Sequence, residues 1–473
     1  MFKKISISIY IILIAFILSI ILSTIYIYTY DNYHLNGYSH IMLKEETFAH
    51  WYYGSKILQQ IDNGIPVFVA GEEMFTKPLP QRLVALYSHL IDFEIIENWN
   101  NIKISLGNKI LFLFFQSIIY YISILIFYLQ ISKIFNNKTT LIIIIFLCIE
   151  PTIFQYHSSF WTESFYLSLQ LLLFSFMLEK NDNKKHYLLI GLLLGLLFAQ
   201  RSAGIFYVIV VLLYYFFNSN NDKYKKISLI FLSYMTICVV IGVHNYKRAG
   251  IFYIMPLEGK YGMYKYFAKD ILATSQNETV DQINKSEVKK AVKWIKNELP
   301  KLDYNKYKST NSPLEIGFAI QDEKFRVKYY GYLNKRSYEI LLNNPVITVK
   351  KIIKGFLHFS VLNPFFIFYD YEYYKEYSSN EIGDFAYSDE HKKIIPIRII
   401  YTLIIIFFTV VGSFICLKKN PKIFYLVLMS IFYYYLILGW YGKTRLFVPN
   451  LIYISIFFSL GLEHSLRKIN LIK

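Results

Sequence analysis

Residues 160–172 read FWTESFYLSLQLL and put Glu163 at the head of an almost wholly apolar run. Charge near a bilayer core costs about 2.5–3.5 kcal/mol per residue on insertion scales, so a carboxylate there needs a reason. The plainest reason is helical: Thr162 or Ser164 can start a helix, and a first-turn Glu suits the positive end of the helix dipole. Other ionisable groups stand in comparable settings. Glu45 and Glu46 open the aromatic, helix-period stretch EETFAHWYYGSKILQQIDNG, and Lys77 stands against Pro78 in GEEMFTKPLPQ. Arg201 separates two apolar runs in GLLLGLLFAQRSAG, Arg248 lies in HNYKRAGIF, Arg445 lies in GKTRLFVPN, and Glu150 and His157 precede Glu163.

Each of these has an ordinary reading as well. The Glu pair can be a solvated helix start, Lys77 a snorkelling lysine, and Arg445 a cap at the membrane edge. Arg201 can form a structural salt bridge with Glu163. Gathered around one wet cavity, the same groups suit transfer of a sugar carried on a lipid phosphate. A carboxylate serves as general base for a high-pKa acceptor hydroxyl. Fixed Lys and Arg groups stabilise the charge growing on the departing phosphate, up to about 4 kcal/mol for a contact at ~4 Å and an effective dielectric of ~20. A direct displacement of this kind inverts the anomeric centre.

The elements that would carry these groups are membrane helices. The chain has 473 residues, 55% hydrophobic and 19% aromatic, with a mean hydropathy of +0.34. Apolar runs of about 20 residues belong to an integral membrane protein and not to a soluble domain. The expected fold class is an all-α polytopic membrane protein with about ten spans: 5–28, 108–131, 139–157, 163–179, 186–200, 203–218, 226–245, 396–416, 422–440 and 446–463. Basic clusters at Lys3/Lys4, Lys133/Lys138, Lys180/Lys184/Lys185, Lys223/Lys225/Lys226, Lys418/Lys419/Lys422 and Arg467/Lys468/Lys473 then all fall on one side. By the positive-inside rule that side is cytoplasmic, with both termini, and the candidate site is extracytoplasmic.

Three parts follow: an N-terminal membrane module over 1–245, whose first outer loop is 29–107; a large extracytoplasmic loop over 246–395; and C-terminal membrane helices over 396–473. Amphipathic helices are expected on the outer surface in both loops. The stretch 352–369, IIKGFLHFSVLNPFFIFY, is apolar enough to span but is assigned to that surface, with Pro364 breaking it, because a span there would put KKNPK outside. The spans on either side of Arg201 are short, so their hairpin is expected to turn below the outer membrane surface. The net charge of +17 is read through topology. No zinc-finger, RNA-recognition or phosphate-loop pattern is present, so no nucleic-acid partner is expected. Cys148, Cys238 and Cys416 lie in apolar stretches and read as buried hydrophobes, and the histidines show no metal-ligand spacing.

At these motifs the chain resembles the GT-C superfamily of polyprenol-phosphate-sugar-dependent glycosyltransferases, which includes protein O-mannosyltransferases and aminoarabinose transferases. Glu45-Glu46-Thr47 running to Gly64 is similar to the family's first-loop acid and the helix that follows it, although that acid is usually Asp and closer to the Gly. Gly71 through Phe75-Thr76-Lys77-Pro78 is similar to the Gly and aromatic-x-Lys-Pro of the aminoarabinose branch. WTESFYLSLQLLLF resembles the fourth-span segment, and GLLLGLLFAQRSAG the Gly-rich span ending in a basic residue. HNYKRAGIF with GKYGMYKY, and GKTRLFVPNLIYISI, resemble later family segments. The likeness covers about the first 270 residues and the last 50, leaving the middle of the large loop unmatched.

The resemblance implies Glu45 or Glu46 as base and Glu163 as a second acid. It further implies Lys77 and Arg201 on the donor phosphate, with Arg248 and Arg445 as further phosphate candidates. It implies a polyprenyl-phosphate-linked sugar donor, a lipid, polysaccharide or protein acceptor, and a place in a bacterial cytoplasmic membrane. No cofactor or protein-bound metal is expected, with an assisting divalent cation left open. Two rival classes share these substrates. A lipid-linked polysaccharide polymerase or ligase calls for Arg and His in late loops. A transporter or flippase calls for internal repeats and short loops. A non-catalytic assembly protein on the same scaffold is a third.

Overall fold

The computed structural model describes residues 7–33, 45–65, 70, 78–90, 106–157, 162–179, 181–218, 222–255, 257–362, 389–439 and 444–469. Among them all regular structure is helical. The helices are α1 (Ile7–Tyr33), α2 (Glu45–Asp62), α3 (Pro78–Leu90), α4 (Leu106–Ile131), α5 (Asn137–Ile149), α6 (Pro151–His157), α7 (Thr162–Leu178), α8 (Lys184–Gln200), α9 (Tyr207–Asn218) and α10 (Lys223–Ala249). A second series follows: α11 (Leu257–Met263), α12 (Lys269–Gln276), α13 (Val280–Glu298), α14 (Pro313–Ala319), α15 (Glu323–Asn343) and α16 (Pro345–Phe359). The last three are α17 (Asp389–Lys419), α18 (Pro421–Leu438) and α19 (Val448–Lys468).

Among the described residues two large hydrophobic cores form, one through the apolar bundle and the other through a lobe over residues 249–340, and a small third cluster joins Ile57, Ala70 and Ala85. Among the described residues five stretches are long and apolar enough to cross a membrane: Ile7–Ile25, Ile110–Ile131, Lys223–Ala249, Ile395–Lys419 and Pro421–Leu438. They coincide with five of the ten expected spans. Asn137–Ile149, Glu163–Leu178 and Ser202–Asn218 are shorter apolar helices. The expected span 139–157 is two helices, because Glu150 is extended (φ −60°, ψ 121°) and Pro151 follows it. A proline has no N–H to continue the ladder and disfavours helix in the residue before it.

Local signals explain most helix starts. The Asn136 side chain accepts from the backbone N–H of Lys138 (2.9 Å) and Thr139 (3.0 Å) to begin α5. Asn183 does the same for α8 through Lys185 N–H (3.1 Å). Helix α2 stops just before Gly64, which takes φ +81°, a conformation glycine adopts without strain, so the expected helix running to Gly64 is observed. The three cysteines are buried and unpaired.

Helices α17 and α19 meet backbone to backbone. A Cβ at Gly412 would lie 1.7 Å from Phe457 O, and one at Gly461 2.0 Å from Phe408 O, so α17 and α19 touch where only glycine fits. Helix α19 packs against α5, α7, α17 and α18, and its Asn450, Ser455 and Ser459 are fully buried.

The lobe is tied to the bundle by an ion pair from Arg248, at the end of α10, to Glu323 at the start of α15. Inside the lobe, Glu287 is buried, accepts two bonds from Arg336 (2.9 Å each) and pairs with Lys290 (2.7 Å). Burial alone would raise the Glu287 carboxyl, but the Arg336 and Lys290 contacts outweigh it and hold it below the ordinary carboxylate range. A depressed carboxyl contributes stability that is present above its unfolded pKa and is lost as pH falls through the folded value. The lobe should therefore loosen on acidification, with hydrogen exchange in α13 and α15 rising below about pH 4 in the native protein. In Glu287→Gln this acid step should be absent.

The apolar stretch expected over 352–369 is placed differently. Its helix, α16, starts at Pro345, a favoured first position, and ends at Phe359, before Pro364, which lies outside the described residues.

Candidate functional site

Glu163 lies in the first turn of α7, and Arg201 is the extended residue (φ −149°, ψ 137°) closing α8. Their side chains form a direct ion pair from Arg201 Nη1 to Glu163 Oε1. Both are buried, Glu163 at 1% and Arg201 at 6% exposure. The carboxylate that looked misplaced at the head of an apolar run thus faces a guanidinium at the turn of the next hairpin. This is the contact weighed from sequence as the structural alternative for Arg201, and it also brings two expected site residues together.

The turn is held by side-chain hydroxyls. After Arg201, Ser202–Gly204 forms one 3-10 turn, with Gly204 N–H donating to Arg201 O (2.9 Å). Tyr433 OH donates to Ala203 O, and Tyr234 OH donates to Ile205 O (2.7 Å). The Arg201 guanidinium carbon lies 5.8 Å from the Tyr166 ring centroid, and the Tyr166 hydroxyl shares a 2.7 Å bond with Tyr434. Tyr207 bonds Ser430 (2.8 Å) and Tyr453 (2.5 Å), so α7, α9, α18 and α19 are stitched together beneath the turn. These tyrosines escape a search for charges. The run Tyr433-Tyr434-Tyr435 in an otherwise apolar helix was the signal, since buried hydroxyls need partners.

Helix α8 reaches this position by packing tightly on α10. A Cβ at Gly191 would sit 2.2 Å from Ile230 O, and one at Gly195 2.5 Å from Ile237 Cγ1. The glycines of GLLLGLL therefore act as a contact surface.

Glu45 and Glu46 form the first turn of α2. Helix α2 packs on α3, and α3 also touches α8, the helix that ends at Arg201. Lys77 lies outside the described residues, immediately before α3. Arg445 falls in the 3-10 turn Thr444–Phe447, which leads into α19. Arg248 is engaged by Glu323. Arg82 of α3 was missed from sequence. Burial lowers its pKa, and the positive charge of Arg248 adds to that.

Glu150 is buried at the α5–α6 break. Its Oε2 accepts from Ile153 N–H (2.7 Å), capping α6, and its Oε1 accepts from Tyr401 OH on α17 (3.1 Å). Among the described residues no group of three or more His, Cys, Asp or Glu is placed to hold a metal ion.

Residues 101–246 match the profile of a family described as dolichyl-phosphate-mannose-protein mannosyltransferase. That segment includes Glu150, Glu163 and Arg201. No curated protein matches the chain by sequence. Among solved structures it is similar to the oligosaccharyltransferase AglB of Archaeoglobus fulgidus in complex with an inhibitory peptide and a dolichol-phosphate. The two are 13% identical with a TM-score of 0.50, over 98% of this chain and 51% of that one. The apo form of the oligosaccharyltransferase from the same organism gives 14% identity and a TM-score of 0.49 over 99% and 51%. The chain thus spans about half the length of these structures, and at 13% identity the likeness to the first of them speaks for the fold alone. The resemblance to the GT-C superfamily expected from the motifs is borne out by the mannosyltransferase profile over residues 101–246, the segment that holds the Glu163–Arg201 pair.

Proposed function

We propose that this chain is a glycosyltransferase that moves a sugar from a polyprenyl-phosphate donor to a lipid, polysaccharide or protein acceptor at the extracytoplasmic face of a bacterial cytoplasmic membrane. The observation that carries this reading is the Glu163–Arg201 pair, buried at one end of an apolar bundle within the segment that matches a mannosyltransferase family. The dolichol-phosphate held by the archaeal relative is a lipid phosphate of the class proposed here. In this scheme the acceptor oxygen attacks the anomeric carbon as the bond to the phosphate oxygen breaks. The electron pair leaves with the phosphate, and the acceptor proton passes to Glu45 or Glu46. The sugar is inverted.

Arg201 and Lys77 take the phosphate, and Arg248 and Arg445 add positive charge at the rim. Glu163 keeps Arg201 in place and orients the acceptor as a second acid. The topology that serves this chemistry is ten spans with both termini cytoplasmic and surface helices in the two long loops. No cofactor enters the scheme, and a divalent cation, where it assists, neutralises the phosphate.

The test is mass spectrometry of lipids that co-purify with the protein, joined to a binding measurement with polyprenyl phosphate. A sugar-phosphate polyprenol in the extract, with Arg201→Gln binding polyprenyl phosphate at least about tenfold more weakly, is the expected result. An extract free of polyprenyl lipids, together with wild-type protein that does not bind polyprenyl phosphate, would overturn the donor assignment.

A further inference from the structure

Helix α13 divides its residues sharply between two faces. Ile283, Val288, Ala291, Val292 and Ile295 are buried in the lobe. The outward face carries all five lysines of the helix, Lys285, Lys289, Lys290, Lys293 and Lys296, each exposed. The other positions on that face are Gln282, Ser286 and Asn297, so neither an apolar group nor a carboxylate interrupts the row. The three acids of α13 lie elsewhere: Glu287 is buried, and Asp281 and Glu298 stand at the two ends. Glu287 takes up Lys290 (2.7 Å), but no carboxylate among the described residues pairs with Lys285, Lys289 or Lys293.

Lys285, Lys289 and Lys293 repeat every four residues, a spacing at which like charges repel and weaken a helix. With Lys296 the row covers about 16 Å of helix axis. The 3-10 turn Tyr304–Tyr307 extends it. Lys296 and Lys308 both lie over the Tyr304 ring, 5.5 and 5.3 Å from its centroid, so one ring gathers two cations. The neighbouring Asp303 caps that turn instead, accepting from Asn305 N–H (3.1 Å). A surface kept soluble by charge mixes both signs. A ridge of one sign that weakens its own helix is explained by an anion outside the chain. The form of the ridge narrows that anion. A single phosphate is held by cations converging on a point, whereas these stand in line, about 6 Å apart along the axis. A bilayer calls for apolar residues that enter it, and a protein partner for an apolar or aromatic anchor; the helix face offers neither. An extended polymer with a negative charge on each repeat fits.

The lobe also stands at the right end of the bundle. Gly191 of α8 meets Ile230 of α10 and Gly195 meets Ile237, so these two helices run in the same direction. Arg201 at the end of α8 and Ala249 at the end of α10 therefore share one end, and the lobe leaves from there. We infer that the outward face of α13 docks the acceptor, and that the acceptor is an anionic polysaccharide with phosphate or carboxylate groups along its chain. Calling the bound polymer an acceptor rests on the transferase reading; the binding face itself does not. Of the three acceptor classes, lipid, polysaccharide and protein, the ridge selects the polysaccharide. Several weak contacts in a row keep one polymer bound while each is made and broken, so successive repeats reach the site without release of the chain.

The test is equilibrium binding of fluorescently labelled polyphosphate to the full chain in phosphatidylcholine nanodiscs, with polygalacturonate and neutral dextran as competitors. Polyphosphate should bind and dextran should not compete. Competition by polygalacturonate extends the partner class to carboxylates, and its failure confines it to phosphates. Raising salt from about 50 to about 200 mM should weaken binding at least about tenfold, the sign of counterion release. Lys285→Gln, Lys289→Gln, Lys293→Gln and Lys296→Gln together should also weaken it at least about tenfold, whereas Arg at the same four positions should keep it within about twofold. Hydrogen exchange in α13 should be no faster in the Gln variant, so the lost affinity reports the charges and not unfolding. Wild-type affinity in that variant would overturn the docking face. Inorganic phosphate competing as well as polyphosphate at equal phosphate concentration would overturn the polymer. Binding that vanishes in phosphatidylglycerol nanodiscs would assign the lysines to lipid and overturn the proposal as well. No turnover is measured, so this docking can fail while the donor assignment stands, and the reverse.

Discussion

Glu163→Gln or Arg201→Ala alone is expected to destabilise the protein by about 3–5 kcal/mol, whereas Glu163→Gln combined with Arg201→Gln recovers most of that loss. The asymmetry follows from burial. With both groups almost fully enclosed, removing one leaves the other as an uncompensated charge in a low-dielectric interior. Removing both takes away the charge and its desolvation cost together. Thermal unfolding in one detergent measures this, and a double variant no more stable than either single one would show that the pair does not act as a unit. The double variant also separates folding from chemistry. It should fold and still lack transfer, because the proposed phosphate ligand is gone. Wild-type transfer in that variant would remove Arg201 from the mechanism.

The second large effect concerns the first-loop acids. Replacing the operative one of Glu45 and Glu46 by Gln should lower transfer by about 10²–10⁴-fold, the usual contribution of a general base, while affinity for polyprenyl phosphate stays within about twofold of wild type. Gln keeps the shape but cannot accept the acceptor's proton. The two residues share the first turn of α2, so the single variants should differ sharply, and the double variant should match the worse of them. Full activity in both singles and in the double would exclude a base at this turn.

Much of this was legible from the sequence where a costly residue stood in a cheap context. Glu163 and Arg201 each interrupt an apolar run, and the structure joins them. The break between the runs at 200–204 falls where the amino acids placed it. Gly64 ends α2 as the first-loop motif implied. The misses have physical causes. Span 139–157 was read as continuous because hydropathy does not register the backbone cost of Pro151. Helix α16 was placed too late because the apolar window from 352 outweighed the start signal at Pro345. The tyrosine hydroxyls around the 201–205 turn were invisible to a sorting by charge. Arg82 is buried through the packing of α3 on α2 and α8, a tertiary outcome that no local pattern encodes. The partnership of Arg248 with Glu323 is likewise a product of tertiary folding across 75 residues.

The position of α19 has a bearing on biogenesis. It packs against four other helices of the bundle, and it is also the last of the described helices to leave the ribosome. Until it arrives, α5, α7, α17 and α18 surround a vacant slot, and the glycine contact between α17 and α19 cannot close. Assembly of the bundle must therefore finish after its other helices have been inserted, and the nascent chain needs protection from misassembly during that interval.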